Sequence, residues 1–204
     1  MFTGIIQSLG RVRRVGAAGG DVELTIDAPG LGLNNVSIGD SICVSGCCLT
    51  VTGVDGDTFV ADVSRETLDV TTLGRWSGGE RVNLEKALSA GQPLGGHYVT
   101  GHVDGVGTVL KMESDARSHR VRFEAPAELA RYIARKGSIC VDGVSLTVND
   151  VEDARFSVNL IPHTMQVTTS SEYRPGSLVN LEVDIIARYL ERLVAPERTS
   201  GAPV

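Results

Sequence analysis

The sequence predicts an all-β protein built from two tandem copies of one small barrel. The stretch from Ser41 to Val51 recurs from Ser138 to Val148, at an offset of 97 residues (138 − 41 = 97). The two halves match at the same offset without gaps, and a two-copy period this long indicates duplicated domains rather than a solenoid. Within each copy, short strand-like runs are separated by Gly- and Asp-rich turns, which is typical of a barrel.

The first copy consists of strands joined by tight turns. Apolar residues alternate with polar ones through residues 10–15 and 22–26, so these segments predict a hairpin. Residues 30–37 have a weak pattern that fits at most one helical turn. The Asp-Gly-Asp turn at 55–57 predicts a second hairpin. Residues 82–85 predict the last strand of the copy.

A short helix is predicted in the second copy, between Pro126 and Gly137. Proline suits the first turn of a helix, and Gly137 can adopt the left-handed conformation that ends one. Leu129, Tyr132 and Ile133 would share its buried face.

A C-terminal helix is predicted from Asp184 as its N-cap, with an apolar stripe on one face. The stripe would either pack on its own barrel or mediate self-association, and the residues alone do not separate these alternatives. The stripe comprises Ile185, Ile186, Tyr189, Leu190, Leu193 and Val194.

These patterns divide the chain into two barrels and a C-terminal extension. We expect an N-terminal barrel at 1–86, a short linker at 86–96 and a C-terminal barrel at 97–184. An oligomerisation helix at 185–195 and a disordered tail at 196–204 would follow.

The composition excludes several classes of protein. Hydrophobic residues make up 42% of the 204 residues, which is enough for a core in each half. The formal charge of −6 and the lack of a long Lys/Arg block argue against nucleic acid as a partner. No apolar run is long enough to span a membrane and no leader pattern is present, so we expect a cytoplasmic protein. Cys43 and Cys140 alternate with valines and are expected to be buried small hydrophobes, not disulfide partners.

Two positions carry different reactive side chains in otherwise matching copies. Cys48 corresponds to Ser145, and this cysteine is either an inert buried thiol or a nucleophile. Glu66 corresponds to His163, and each is either a solvated loop charge or a proton-transfer group. The exchanges suggest two pockets of one shape with different tasks.

His97 and His102 flank a Tyr-Val-Thr-Gly sequence. Their spacing in a strand points them to opposite faces, so no metal site is predicted, and at least one is expected to form hydrogen bonds or transfer a proton. Asp184 is either a helix cap or a carboxylate held at the mouth of a barrel.

Several motifs resemble those of the riboflavin synthase family of the alpha-chain type. They are Met-Phe-Thr-Gly-Ile-Ile at the start, Ser-Gly-Cys-Cys-Leu-Thr-Val at 45–51, Gly-Gly-His-Tyr-Val-Thr-Gly-His at 95–102, Asp-Gly-Val-Ser-Leu-Thr-Val at 142–148 and Leu-Ile-Pro-His-Thr at 160–164. The resemblance covers the chain as far as Asp184.

The resemblance implies two six-stranded Greek-key barrels and a C-terminal helix that assembles a homotrimer. It implies that two molecules of 6,7-dimethyl-8-ribityllumazine exchange a four-carbon unit, without cofactor or metal, to give riboflavin and 5-amino-6-ribitylaminouracil. The N-terminal barrel of one subunit would face the C-terminal barrel of another. Association with lumazine synthase is possible in this family, and a lumazine- or flavin-binding protein without activity is the alternative.

The matching motifs also imply site residues. Cys48 or a bound water would add to the donor lumazine, while Ser145, His102 and Asp184 would assist deprotonation and hydrogen bonding around the acceptor. The substrate-binding residues implied by the motifs are Phe2, Thr3, Gly4, Ser41, Thr50, Glu66, Thr67, Gly101, Lys136, Thr147, Ile161, Pro162, His163 and Thr164.

Overall fold

The computed structural model describes residues 1–194, so the predicted tail at 196–204 lies outside the described residues. The strands of the first half are β1 (Ser8–Ala18), β2 (Asp21–Asp27), β3 (Ser41–Val44), β4 (Cys47–Asp55), β5 (Thr58–Val63) and β6 (Arg81–Lys86). Those of the second half are β7 (Gly105–Asp115), β8 (Ser118–Glu124), β9 (Ser138–Val141), β10 (Val144–Glu152), β11 (Arg155–Leu160) and β12 (Leu178–Val183).

Each set of strands closes into a six-stranded antiparallel barrel. The strand order is β1-β2-β5-β4-β3-β6 in the first and β7-β8-β11-β10-β9-β12 in the second, so both follow one Greek-key path. Every strand of the second barrel begins and ends 97 residues after its counterpart, as in 105 − 8 = 97. Even the register shifts repeat, between Val12 and Arg14 and again between Val109 and Lys111. The predicted all-β fold of two tandem barrels is confirmed.

Each barrel has its own apolar core made by the inward residues of its strands. Phe59 and its counterpart Phe156 are almost completely buried in the two cores. In the second barrel Phe156 stacks on Phe123, with ring centroids 5.2 Å apart. Such aromatic pairs contribute beyond the area they bury.

A short helix follows the fifth strand of each barrel. These helices are α1 (Arg65–Val70) and α2 (Pro162–Val167), and each is followed by a single 3₁₀ turn. The hydroxyl of Ser64 caps α1 by accepting the N–H of Thr67, whereas α2 begins with proline. A serine before Arg-Glu-Thr is a typical N-cap, but an analysis based on the alternation of apolar residues does not detect it.

The helix predicted between Pro126 and Gly137 is only partly confirmed. A 3₁₀ helix spans Ala127–Tyr132, and it buries Leu129 as expected. The left-handed residue is Lys136, with φ of 66°, so the prediction for Gly137 was wrong by one position. Lys136 corresponds to Gly39 of the first copy, which has φ of 96° at the end of the corresponding loop. The left-handed conformation is therefore conserved between the two copies at this position.

The two barrels are docked by a buried, reciprocal set of hydrogen bonds from two asparagines. Asn83 accepts the Thr169 N–H through Oδ1 and donates through Nδ2 to the Asp142 carbonyl, both at 2.8 Å. The side chain of Asn180 makes the matching bonds to Thr72 and Ser45 in the other barrel. Since each asparagine satisfies backbone groups of the opposite barrel, the two domains hold one fixed arrangement.

The C-terminal helix α3 spans Ile185–Val194 and is capped by Asp184, whose Oδ1 accepts the Ile186 N–H at 3.0 Å. The predicted N-cap is therefore confirmed. Polar contacts attach the helix to the second barrel, including an ion pair between Arg188 and Asp104. No helix within residues 1–194 is long and apolar enough to cross a membrane.

The apolar stripe of α3 does not pack on the barrel. Five of its residues keep more than half of their surface exposed, and Leu193 is 80% exposed. The sequence left two alternatives for this stripe. The structure of the single chain contradicts the first, packing on its own barrel. The exposed residues are Ile186, Tyr189, Leu190, Leu193 and Val194.

Candidate functional site

The first candidate site lies on the outer face of the β3–β4 hairpin. Ser41 pairs with Thr50 and Cys43 pairs with Cys48, so these four side chains share one face of the ribbon. The alternate residues, such as Leu49, point into the barrel core. The period of two therefore separates the reactive face of this hairpin from its structural face.

The second barrel repeats this face with one chemical change. Ser138 pairs with Thr147 and Cys140 pairs with Ser145 in the β9–β10 hairpin. A hydroxyl thus occupies the position of the Cys48 thiol. The other thiols, Cys43, Cys47 and Cys140, are buried, and burial raises the pKa of each. Of the four cysteines only Cys48 is partly exposed, as a nucleophile requires.

A glycine from the segment preceding the opposite barrel crosses over each reactive residue. The Gly101 carbonyl accepts the Cys48 N–H, and the Gly4 carbonyl accepts the Ser145 N–H, both at 2.8 Å. A Cβ atom on either glycine would lie 2.6 Å from the Cβ of the residue beneath it. Both glycines also have positive φ, so no other residue fits these crossings without strain.

A buried glutamate holds each crossing segment. The Glu85 carboxylate accepts the Thr3 N–H at 2.7 Å, the Thr3 hydroxyl at 2.6 Å and the Gly4 N–H at 3.0 Å. Glu182 accepts the same three donors from Thr100 and Gly101. Burial raises the pKa of both carboxyls, and the hydrogen bonds from the threonines oppose that rise.

An apolar cluster lies next to the two sites. Phe2 and Val99 exchange backbone hydrogen bonds, and their side chains pack with Cys43 and Cys140. Each of these cysteines is the strand partner of a reactive residue. The strand partners of Cys48 and Ser145 therefore meet in this cluster, and Cys48 itself packs against it.

Within residues 1–194, an imidazole is hydrogen-bonded to the reactive side chain at Ser145 but not at Cys48. His97 Nδ1 lies 2.7 Å from Ser145 Oγ, and its backbone N–H donates to the Thr3 carbonyl at 3.1 Å. Burial lowers the pKa of His97, with Asp184 acting in the opposite direction, so the site favours the neutral ring. Its Nε2 atom is buried without a hydrogen-bond partner in residues 1–194.

Sequence reasoning singled out His97 but selected His102 for the site. His102 is exposed, and its backbone N–H donates to the Thr100 hydroxyl. The signal that favours His97 is the Gly-Gly pair before it, since a Cβ on Gly96 would lie 2.9 Å from the Cβ of Ser145. That signal becomes readable only when the fold is known.

The remaining predicted residues lie on the short helices and loops. Glu66 and Thr67 are in the first turn of α1, where the Thr67 N–H is bonded to Ser64. Ile161 is the N-cap of α2 and is 54% exposed. Pro162, His163 and Thr164 form its first turn, and Lys136 is exposed in its left-handed loop. Hydrogen bonds do not join these residues to Cys48 or Ser145 within residues 1–194.

A cavity of about 330 Å³ opens beside the Thr3–Gly4 crossing. Thr3, Ile5 and Glu85 line one part of it, and linker residues including Leu94 and Gly95 line another. Its volume suits a small heterocyclic ligand. Within residues 1–194, no group of three or more His, Cys, Asp or Glu side chains is arranged to hold a metal ion.

Comparison with known proteins identifies the relatives of this arrangement. The model of the lumazine binding domain matches twice, at residues 3–87 and 100–184. A riboflavin synthase of Mycobacterium tuberculosis (strain ATCC 25618 / H37Rv) is 46% identical over 199 residues, covering 95% of this chain and 98% of that protein. The chain belongs to the riboflavin synthase family. A second member, from Photobacterium phosphoreum, is 41% identical over 198 residues, covering 97% and 91%.

Solved structures of the protein LumP share the fold of this family member. LumP complexed with riboflavin superposes with a TM-score of 0.82 at 29% identity, covering 90% of this chain and 99% of that one. LumP complexed with 6,7-dimethyl-8-(1'-D-ribityl) lumazine gives a TM-score of 0.80 at 27% identity, with the same coverage.

Proposed function

We propose that the chain catalyses the dismutation of two 6,7-dimethyl-8-ribityllumazine molecules into riboflavin and 5-amino-6-ribitylaminouracil, by transfer of a four-carbon unit and without cofactor or metal. The observation that carries the proposal is the pair of equivalent but chemically unequal sites, with Cys48 in one and Ser145 with His97 in the other. One lumazine donates four carbons and the other accepts them. Two related sites with different reactive groups meet that requirement.

Positioning supplies a large part of the proposed catalysis. Holding two reactants at contact distance in a fixed orientation removes on the order of 7 to 11 kcal/mol from a barrier. The C7 methyl group of the lumazine is unusually acidic, so its deprotonation needs no strong base. A neutral histidine matches this requirement, because the burial that lowers the pKa of His97 keeps its ring available to accept a proton.

The two sites take different roles in this proposal. Cys48, or a water bound beside it, adds to the ring of the donor lumazine on the first barrel. Ser145 hydrogen-bonds the acceptor on the second barrel, and His97 sets the orientation and basicity of its hydroxyl from 2.7 Å away. His102 and Asp184 assist proton transfer around the acceptor. The substrate-binding residues are those that the motifs predict.

The proposed reaction takes place between subunits. In the proposal, the packed cluster that joins the strand partners of Cys48 and Ser145 keeps lumazines bound at these two residues of one chain from stacking on each other. The exposed apolar stripe of α3 offers a surface for self-association, and burial of such a stripe is favourable. The proposal therefore includes a homotrimer in which the first barrel of one copy faces the second barrel of another. A cytoplasmic location and association with lumazine synthase also belong to it.

Incubation of the purified protein with the lumazine tests the activity directly. Formation of riboflavin is followed by its absorbance, and one riboflavin is expected for every two lumazines consumed. Tight binding of the lumazine without flavin formation would contradict the proposal and would favour a carrier like LumP, the alternative function.

Single substitutions test the reactive groups. Cys48→Ala and Ser145→Ala are each expected to lower kcat by at least about tenfold, the loss that follows from removing about 1.4 kcal/mol of transition-state stabilisation. Ser114→Ala, at an exposed position of β7, is the control. Near-normal turnover of both site variants would show that positioning alone suffices.

A further inference from the structure

We infer that Glu85 and Glu182 are positioning residues that act across the domain boundary: each carboxylate orients the reactive side chain of the opposite barrel. Both lie in the last strand of their own barrel and are almost completely buried, at 2% and 4% exposure. The inference deepens the proposed function, because it concerns the same two sites. If it is correct, the reactive residue of each barrel is held in position by a glutamate of the other barrel.

The connection from Glu85 to the Ser145 site runs through two residues. Glu85 fixes Thr3 and Gly4 by three hydrogen bonds. The Thr3 carbonyl then accepts the His97 N–H, and the Gly4 carbonyl accepts the Ser145 N–H. The backbones of both members of the His97–Ser145 pair are thus bonded to one turn, which a residue of the first barrel holds.

The connection from Glu182 to the Cys48 site is equivalent but simpler. Glu182 fixes Thr100 and Gly101 by three hydrogen bonds, and the Gly101 carbonyl accepts the Cys48 N–H. No histidine lies on this path. Loss of Glu182 therefore uncovers the thiol, whereas loss of Glu85 disturbs the imidazole.

A carboxylate is required because all three partners of each glutamate are donors. Glutamine has the same shape, but its amide nitrogen is itself a donor and would face an N–H or O–H group. One of the three bonds is then lost and replaced by a repulsive contact. Both glutamates are almost completely buried, so an unpaired group there is costly and the turn is displaced.

The experiment compares Glu85→Gln with Glu182→Gln in the full-length protein, with Glu113→Gln, at an exposed position of β7, as the matched control. The first readout is the imidazole ¹⁵N shifts of His97 in a protein labelled at histidine, assigned with His97→Gln. The second is the rate at which iodoacetamide alkylates Cys48, measured by intact mass, since the other thiols are buried. Neither readout requires substrate, so the result is independent of the proposed reaction.

The expected result is a crossed pattern. Glu85→Gln shifts the His97 resonances and leaves the alkylation rate within twofold of wild type. Glu182→Gln raises the alkylation rate at least threefold and leaves His97 unchanged. Each variant lowers kcat about tenfold, which ties the turns to catalysis.

Three results would overturn the inference. Each variant could affect only the site on its own barrel, both variants could change the two sites equally, or neither site could respond. If a glutamine variant fails to fold, Thr3→Val and Thr100→Val each remove one hydrogen bond to the same carboxylates and must give the same crossed pattern. Circular dichroism of every variant shows whether the barrels are intact.

Discussion

Replacing Asn83 with alanine tests the docking of the two barrels. Asn83 has no exposed surface, and its side chain bonds two backbone groups of the second barrel at 2.8 Å each. Alanine leaves the Thr169 N–H and the Asp142 carbonyl without these partners in a largely buried position. Both groups belong to the opposite domain, so the loss falls on the interface and not on the core of the first barrel.

The magnitude follows from the two broken bonds. Each buried polar group left unpaired costs about 1–3 kcal/mol, so the loss of two partners in Asn83→Ala is expected to lower the free energy of unfolding by about 2–6 kcal/mol. Asn180→Ala breaks the equivalent bonds and should cost about as much. The control is Asn159→Ala, because Asn159 is exposed and its contact with Asp115 is 3.5 Å long. Its expected effect is below about 0.5 kcal/mol.

Urea-induced unfolding followed by circular dichroism measures these differences, at one protein concentration because self-association contributes to stability. The reasoning is refuted if Asn83→Ala unfolds within about 0.5 kcal/mol of wild type, since the docked interface would then not depend on its buried bonds.

Two further predictions concern pH and assembly. Burial raises the pKa of Asp142 from 3.8 to about 7, so the folded chain keeps a proton that the unfolded chain loses, and stability falls as the pH rises from about 4 to 7. Asp142→Asn removes this dependence. In urea unfolding, the free energy of unfolding of the variant relative to that of wild type should therefore rise by up to about 4 kcal/mol between pH 4 and pH 8. A variant with the same pH dependence as wild type would contradict this prediction. Leu193→Glu places a charge on the exposed stripe and is expected to reduce the mass in light scattering to that of one chain. Ile38→Glu, at a position 73% exposed elsewhere, should leave the mass unchanged, and an unaltered mass for Leu193→Glu would exclude the stripe as the interface.

Much of the fold could be predicted because the sequence contains two copies of the same domain. The offset of 97 residues fixes every strand boundary of the second barrel from the first, and the turn at 55–57 joins β4 to β5 as predicted. The short helices α1 and α2 escaped prediction because six residues are too few to show a helical period.

The candidate site was only partly predictable. Alternation with valines correctly indicated that Cys43 and Cys140 are buried, but it left Cys48 as either an inert thiol or a nucleophile, and nothing local brings Gly101 over it. The repeated run from Val82 to Glu85 is instructive, because its Asn and Glu resemble the solvated face of a strand. They are instead buried where the barrels meet, and such tertiary contacts have no periodic signature in the sequence.

Complementation between two impaired variants tests the central claim, that the two unequal sites of different chains form one reaction centre. Cys48→Ala and Ser145→Ala chains, each expected to have turnover at least about tenfold below wild type when alone, are expressed together with different tags. If sites pair between chains, random assortment restores about one interface in four over the whole population, and the co-expressed protein as a whole should regain about that share of wild-type turnover. Mixed oligomers that are no more active than the separate variants would contradict the account.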